Sequence, residues 1–237
     1  MPSQSHPVPL IWSTPAPPAR RALSRGSIVA AAIEVADAHG AAALTMAAVA
    51  DRLGDYTSMS LYRYVQSKVS LVDLMLDAAI AEVPLPDPAP GWRPALRQLG
   101  LDSWAMAHRH LWYAQLVHTR PPLGPNTMRR TEAVLRLLVG AGAAVPEALS
   151  YLALLDRHVF SAAVVDAEER RMAQSYGIEN ADDLMAAIRE TRRSVTDPQL
   201  YPLLSGWMAA PTGPTTDEQV EQALGFTLDG IGRQLRR

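Results

Sequence analysis

The stretch LTMAAVADRLGDYTSMSLYRYVQSK, Leu44 to Lys68, decides how this chain folds. Met46, Val49, Ala50 and Leu53 fall at i, i+3, i+4 and i+7 and predict a helix over Met46–Leu53. Thr45 precedes it as a cap for its free N–H groups, and Gly54 follows as a left-handed stop. Asp55, Tyr56, Thr57 and Ser58 make a turn, with Thr57 or Ser58 capping the next helix, which runs to about Val65. In that helix Leu61 and Val65 face inward. Ser58, Met59, Ser60, Tyr62, Arg63 and Tyr64 are left for the outside, where hydroxyls, phenols and a guanidinium suit base edges and phosphates. A further helix starts near Ser67. Lys68 in its first turn adds a fixed charge beside free backbone N–H groups, an arrangement that favours a phosphate. Lys68 is the chain's single lysine among 22 basic side chains. Two short helices around a tight polar turn form a helix-turn-helix, which implies a reader of double-stranded DNA.

The flanking sequence completes a small bundle. Ile28, Ala32, Val35 and Ala36 form the stripe of a helix from Ser24 to His39, stopped by Gly40. Leu71, Val72, Met75, Ala79 and Val83 form the stripe of the helix that starts near Ser67. Amphipathic helices alone would fit any bundle; Thr45, the Gly54 turn, Leu61-Tyr62 and Lys68 in that order are what single out a DNA reader.

The segments AAIEVADAHG, AAALTMAAVADRLG and SMSLYRYVQSKVSLVDLMLD resemble the N-terminal domain of the tetracycline-repressor (TetR) family of transcriptional regulators, over Ser24 to Val83. Further on, GWRPALRQL, RHLW (Arg109 to Trp112), RPPLGPN (Arg120 to Asn126) and the helix from Glu147 to Ala167 resemble the regulatory domain of the tetracycline-repressor-like subgroup. The resemblance implies a homodimeric, all-helical repressor released from its operator by a small molecule. By position it also implies phosphate contacts from Tyr62 and Lys68 and groove-facing Met59, Ser60, Arg63 and Tyr64. Thr45 would approach the DNA backbone as well as capping its helix. Arg25, Tyr56, Thr57 and Ser58 complete the candidate DNA-binding set. Two departures bear on docking: the turn is one residue longer than the family's usual pattern, and it carries the acid Asp55. Leu111 also stands where the subgroup often has proline.

At 237 residues the chain can hold one small and one larger domain. The absence of cysteine excludes disulfides, thiolate catalysis and Cys-ligated zinc, and fits the cytoplasm. The N-terminus is broken by proline rather than charged and then apolar, so no signal peptide is expected. No uninterrupted apolar run of 18 residues occurs, so no membrane partner is expected either. The net charge of −2 is no nucleic-acid signature, but its distribution is uneven: residues 20–70 carry +2 and residues 71–237 carry −4.

The domains expected are an extended proline-rich arm over residues 1–22, a helix-turn-helix domain over 23–83 and a helical regulatory and dimerisation domain over 91–237. Leu10, Ile11 and Trp12 form an apolar knot in the arm, and Arg20 and Arg21 are placed to enter a minor groove. Pro84, Pro86, Pro88, Pro90 and Gly91 make a short stiff link. Helices are then expected at about 92–108, 109–117, 127–141, 146–174, 181–195, 198–208 and 217–236.

Self-association points to the long helix from Glu147 to Met172 and to the last helix, whose stripe is Val220, Leu224, Thr227, Leu228, Ile231 and Leu235. Gly225, Gly230 and Gly232 would allow close helix approach; the other reading is a last helix packed on its own body.

Trp104, His108, Trp112, Tyr113, His118, Met128 and His158 are the candidate effector-binding residues, apolar walls with a few polar anchors. Trp104, His108 and Trp112 lie at i, i+4 and i+8, which is equally a packing stripe. No metal site is expected: His108 and His110 do not share a helix face, and HExxH is absent. No cofactor is expected, since no Gly-rich phosphate loop occurs. Two rivals stay open, an all-helical enzyme and a DNA-binding dimer without a ligand. The enzyme lacks a nucleophile with its base, and Glu168-Glu169 and Asp182-Asp183 are sequence neighbours that point to different sides of a helix, so no catalytic residue is assigned.

Overall fold

The computed structural model describes residues 11–17, 23–119, 123–178, 181–209 and 213–236. Its described residues form helices α1 (Arg25–His39), α2 (Met46–Leu53), α3 (Ser58–Val65), α4 (Lys68–Ile80), α5 (Trp92–Arg109), α6 (Leu111–Val117), α7 (Pro125–Gly140), α8 (Val145–Ser175), α9 (Ala181–Val195), α10 (Pro202–Ala209) and α11 (Thr216–Gln234), with two 3₁₀ turns and no strand among them. The fold is all-α, as the periodicity requires.

Local chemistry sets the early boundaries. Ser24, Thr45, Thr57 and Ser67 each turn a side-chain oxygen onto the third residue of the helix that follows, capping α1 to α4. Gly40 and Gly54 end α1 and α2 with φ of 79° and 90°, a region that strains residues with a Cβ. The expected stripes of α1 and α4 are buried in full; on α2 Met46, Val49 and Ala50 are buried and Leu53 half-buried.

α1 packs on α2 and α4, and α3 closes the group. α8 is the spine of the rest, packed on α5, α6, α7 and α11. By length and composition α8 could cross a membrane, yet it lies within this bundle and carries Asp156 and Arg157 at mid-length. α4 touches α6 and α7 as well as α1, so one continuous apolar core runs from α1 through α8 to α11.

Three expectations need correction. Residues 11–17 are not a free extended arm: Ile11–Ser13 form a 3₁₀ turn, Ile11 is fully buried, and Arg25 ties the segment down through Thr14. The rest of the proposed arm, Arg20 and Arg21 included, lies outside the described residues. On α11 the stripe offered for self-association faces its own body, with Val220, Leu224, Leu228 and Ile231 buried against α5 and α8. Phe226 points the other way, 73% exposed, and a Cβ at Gly225 or Gly230 would meet open space. Finally, α10 starts at Pro202 rather than near Pro198, because the Asp197 carbonyl accepts from Leu200 and Tyr201 in a separate turn.

Candidate DNA-reading surface and effector cavity

The helix-turn-helix presents a compact outer face. Met59, Tyr62 and Arg63 occur at i, i+3 and i+4 of α3, Gln66 follows as its cap, and all four are exposed. Thr45 at the cap of α2, Asp55 and Thr57 in the turn, and Lys68 at the first position of α4 are exposed beside them. Tyr56, Ser58 and Ser60 are half-buried, and Ser60 donates its hydroxyl to the Thr57 carbonyl. Lys68 thus stands where the backbone N–H groups of α4 begin.

Two members of the predicted set turn inward. Tyr64 is buried, 6% exposed, because it follows Leu61 by three residues and shares its inner face. Arg25 spends its guanidinium internally: Nε donates to the Tyr64 carbonyl at 3.2 Å and Nη2 to the Thr14 carbonyl at 3.2 Å. Sequence reading missed Gln66. It caps α3 with φ of 64°, outside the helical region, and its side chain is exposed; the helical period that places Met59, Tyr62 and Arg63 does not extend to it.

Two polar contacts join the α1–α4 group to the helices beyond. In the first, Asp37 of α1 accepts from His110 Nδ1 at 2.8 Å and Trp112 Nε1 at 2.6 Å. His110 Nε2 lies 3.0 Å from Glu82, just past α4, and Glu82 also accepts from Arg109. Partial burial pushes the Glu82 carboxyl up, but the hydrogen bonds from Arg109 and His110 outweigh it and hold the group below its ordinary 4.5. In the second, the buried Asp77 of α4 caps α7 from outside. It accepts the backbone N–H groups of Asn126 and Thr127, the Asn126 amide and the Thr127 hydroxyl, at 2.9 to 3.2 Å. Gly124 makes this possible, since a Cβ there would fall on the Asp77 carboxyl group.

Beside this second contact, α4, α6, α7 and α8 line a half-open cavity of about 210 Å³. Ile80, Val117, Tyr113 and Phe160 supply apolar wall, and the Tyr113 and Phe160 rings meet tilted at 57° with centroids 5.1 Å apart. The polar wall is Thr127, Arg130 and Asp156, with Arg157 and His118 exposed at the edge. Arg130 is buried and forms a bidentate pair with Asp156, Nη1 to Oδ2 at 3.0 Å and Nη2 to Oδ1 at 2.6 Å. Burial alone would lower the Arg130 pKa; the Asp156 carboxylate more than offsets that and keeps the guanidinium charged.

Of the seven predicted effector contacts, Tyr113 and His118 line this cavity. The other five lie elsewhere. Trp104 is buried and donates to Asp217, tying α5 to α11. His108 meets the Trp104 ring tilted at 48° with centroids 4.1 Å apart, and faces Asp166 of α8 at 3.1 Å. Trp112 is enclosed by its bond to Asp37. Met128 points outward, 47% exposed, and His158 lies against the Val220 carbonyl at 3.2 Å. The i, i+4, i+8 stripe was therefore packing. The signal for the lining of this cavity was charge in an apolar stripe: Arg130 shares a face with Val134 and Leu138, and Asp156 follows Leu152 by one turn.

Two family descriptions match the chain: "Bacterial regulatory proteins, tetR family" over residues 28–75 and "Tetracyclin repressor-like, C-terminal domain" over residues 85–235. The HTH-type transcriptional repressor DrrR1 of Streptomyces coeruleorubidus is 34% identical over 229 residues, covering 94% of this chain and 82% of that protein. Apo ActR from Streptomyces coelicolor superposes with a TM-score of 0.74 at 26% identity, over 90% of this chain and 96% of that one. ActR in complex with actinorhodin gives 0.74 at 25% identity, over 91% and 99%.

Proposed function

Since the chain belongs to the tetracycline-repressor family and is a transcription regulator rather than an enzyme, we propose that it is a cytoplasmic repressor that binds a palindromic operator as a homodimer and is released by a lipophilic small molecule in the α4–α6–α7–α8 cavity. The division into functional domains falls in the proline-rich link between α4 and α5. Met59, Tyr62, Arg63 and Gln66 face the major groove, with Thr45, Thr57, Ser60 and Lys68 around them; a C₂ dimer would set two such faces on successive half-sites. The exposed apolar side chains Leu154 and Val165 of α8 and Phe226 of α11 are the surface for the second copy. ActR, which has been crystallised with actinorhodin, supports an organic effector for this chain too.

One observation carries the release mechanism: the cavity touches α4 twice. Ile80 forms part of its wall directly, and Thr127 in the same wall holds Asp77. An effector that fits one position of α7 better than another biases α4, and with it Lys68 some 18 Å away at roughly 1.5 Å per residue. The shift can be no larger than the ligand's unequal affinity for the two positions allows.

The test is selection of bound duplexes from a random library at low salt. Enrichment of an inverted repeat is the expected result, and capture of single half-sites would remove the dimer. No enrichment by protein stripped of small molecules would sink the DNA-binding reading itself.

A further inference from the structure

His110 is buried, alone among the described histidines, at the break between α5 and α6. Its N–H donates to the Met106 carbonyl at 3.0 Å and its carbonyl accepts from the Tyr113 N–H at 2.7 Å, so the backbone fixes where the ring stands. The ring bridges two elements of the helix-turn-helix group. Nδ1 lies 2.8 Å from Asp37 Oδ1 of α1, and Nε2 lies 3.0 Å from Glu82 Oε1 just past α4. The charged groups facing this site are those two carboxylates and Arg109 at the end of α5, which donates to Glu82 Oε2 at 3.0 Å. From α6 comes the Trp112 indole, which donates to Asp37 at 2.6 Å.

A neutral imidazole has one N–H and one lone pair, whereas an imidazolium has two N–H groups. A carboxylate is ionised over the range, about pH 5 to 8, in which imidazole changes charge, and then only accepts. Both contacts are therefore hydrogen bonds only when His110 carries its second proton. The flanking carboxylates also supply the countercharge that a buried cation requires. Loss of that proton to solvent leaves one N–H. It stays on Nδ1, where the contact is shorter and Asp37 is the less exposed acid, 33% against 40% for Glu82. The Nε2 lone pair then faces the Glu82 carboxylate, and the two repel. Arg109 alone is left holding Glu82, in an exposed pair of the kind that contributes little.

We propose that His110 is a proton-operated latch between the helix-turn-helix group and the helices beyond. Doubly protonated, it ties α1 and the end of α4 to the α5–α6 junction; deprotonated, it lets the end of α4 go. Closing takes up one proton, so the latch holds at low pH and opens as the pH rises. Lys68 stands at the other end of α4, so an open latch loosens the reading face and weakens its hold on DNA. That last step rests on the helix-turn-helix being the DNA reader; the protonation of His110 does not.

Two readouts on the full chain test these steps apart. In nitrogen NMR of protein carrying isotope-labelled histidine, the resonances missing from His110→Gln belong to His110. They should show both ring nitrogens protonated at about pH 5.5 and Nδ1 alone at about pH 8.5. One proton at both pH values, two at both, or a last proton on Nε2 overturns the latch. In Glu82→Gln the amide N–H can donate to a neutral Nε2, so the contact survives deprotonation and the second proton should leave at a lower pH than in the parent; an unshifted titration overturns the latch. Should His110→Gln fail to fold, the resonance that Glu82→Gln shifts identifies His110. Retention of a random duplex library at low salt is then compared at the same two pH values. It should fall with rising pH at least about threefold more for the parent than for either variant, the scale of a partly exposed ion pair. An equal fall in all three proteins overturns the latch and leaves the reader intact. No retention by any of them sinks the DNA reading, and the latch then stands or falls on the two titrations.

Discussion

On the outer face of the helix-turn-helix, Arg63 and Lys68 stand in solvent with no ion-pair partner among the described residues. In the cavity wall, Arg130 is almost wholly enclosed and gripped by both oxygens of Asp156. Under the proposed function a polyanion would pair the outer cations, and water screens them until then. The inner cation had to be neutralised within the fold before it could be buried at all. A side chain on the first surface can change without touching the fold. One in the second changes fold and binding together.

The sharpest way to break this contrast is inside the reading helix itself. Tyr64 is buried and Met59 is 75% exposed, five residues apart on α3. Tyr64→Ala should cost about 3–4 kcal/mol in chemical unfolding, like other large-to-small core changes. Met59→Ala should stay within about 0.5 kcal/mol yet change which duplexes are selected. Equal stability losses would erase the distinction between the two faces.

Next in size is the seam. Asp77→Ala removes the external cap of α7 and leaves two backbone N–H groups of α7 unmet, an expected loss of about 2–3 kcal/mol. It should also uncouple operator affinity from effector. A variant with normal stability and normal release would show that α4 and α7 communicate by another route.

Lys68→Ala comes third. It should weaken binding to every duplex alike, by about tenfold at low salt, and reduce the slope of log affinity against log salt by about 1. A loss confined to one sequence would make Lys68 a base reader instead of a phosphate contact.

The smallest effect is at Glu82. Its pKa is depressed in the folded protein, so its contribution to stability is present above the unfolded value near 4.5 and is lost as pH falls through the lower folded value. The group is 40% exposed, so the contribution is below about 1 kcal/mol. Thermal unfolding of Glu82→Gln and the parent should differ at pH 6 and converge toward pH 3; a constant difference would assign the effect to packing.

The head was legible because its information is local. Caps, a glycine stop and one apolar stripe lie within 25 residues, and each acts on neighbours three or four positions away. Tyr64 was misplaced because a phenol suits either face and only the packing of Leu61 decides. The cavity was not legible. Ile80, Tyr113, Arg130 and Asp156 come from four helices, and nothing in the spacing of Trp104, His108 and Trp112 separates a packing stripe from a ligand wall. Asp77 shows the same limit: its partners Asn126 and Thr127 lie about 50 residues on, beyond any periodicity.

Lys68, alone of its kind and exposed at the start of α4, is also a chemical handle. An acylating dye finds a single side-chain amine in this sequence, Lys68, and its one rival is the backbone α-amine, which is told apart by peptide mapping. On Lys68 it would put its reporter at the end of the molecule proposed to face DNA and spare the cavity, whose cations are guanidinium groups. Bound operator should shield that amine from the reagent, and an effector that frees the protein should expose it again, so the rate of labelling reads occupancy without any change to the sequence.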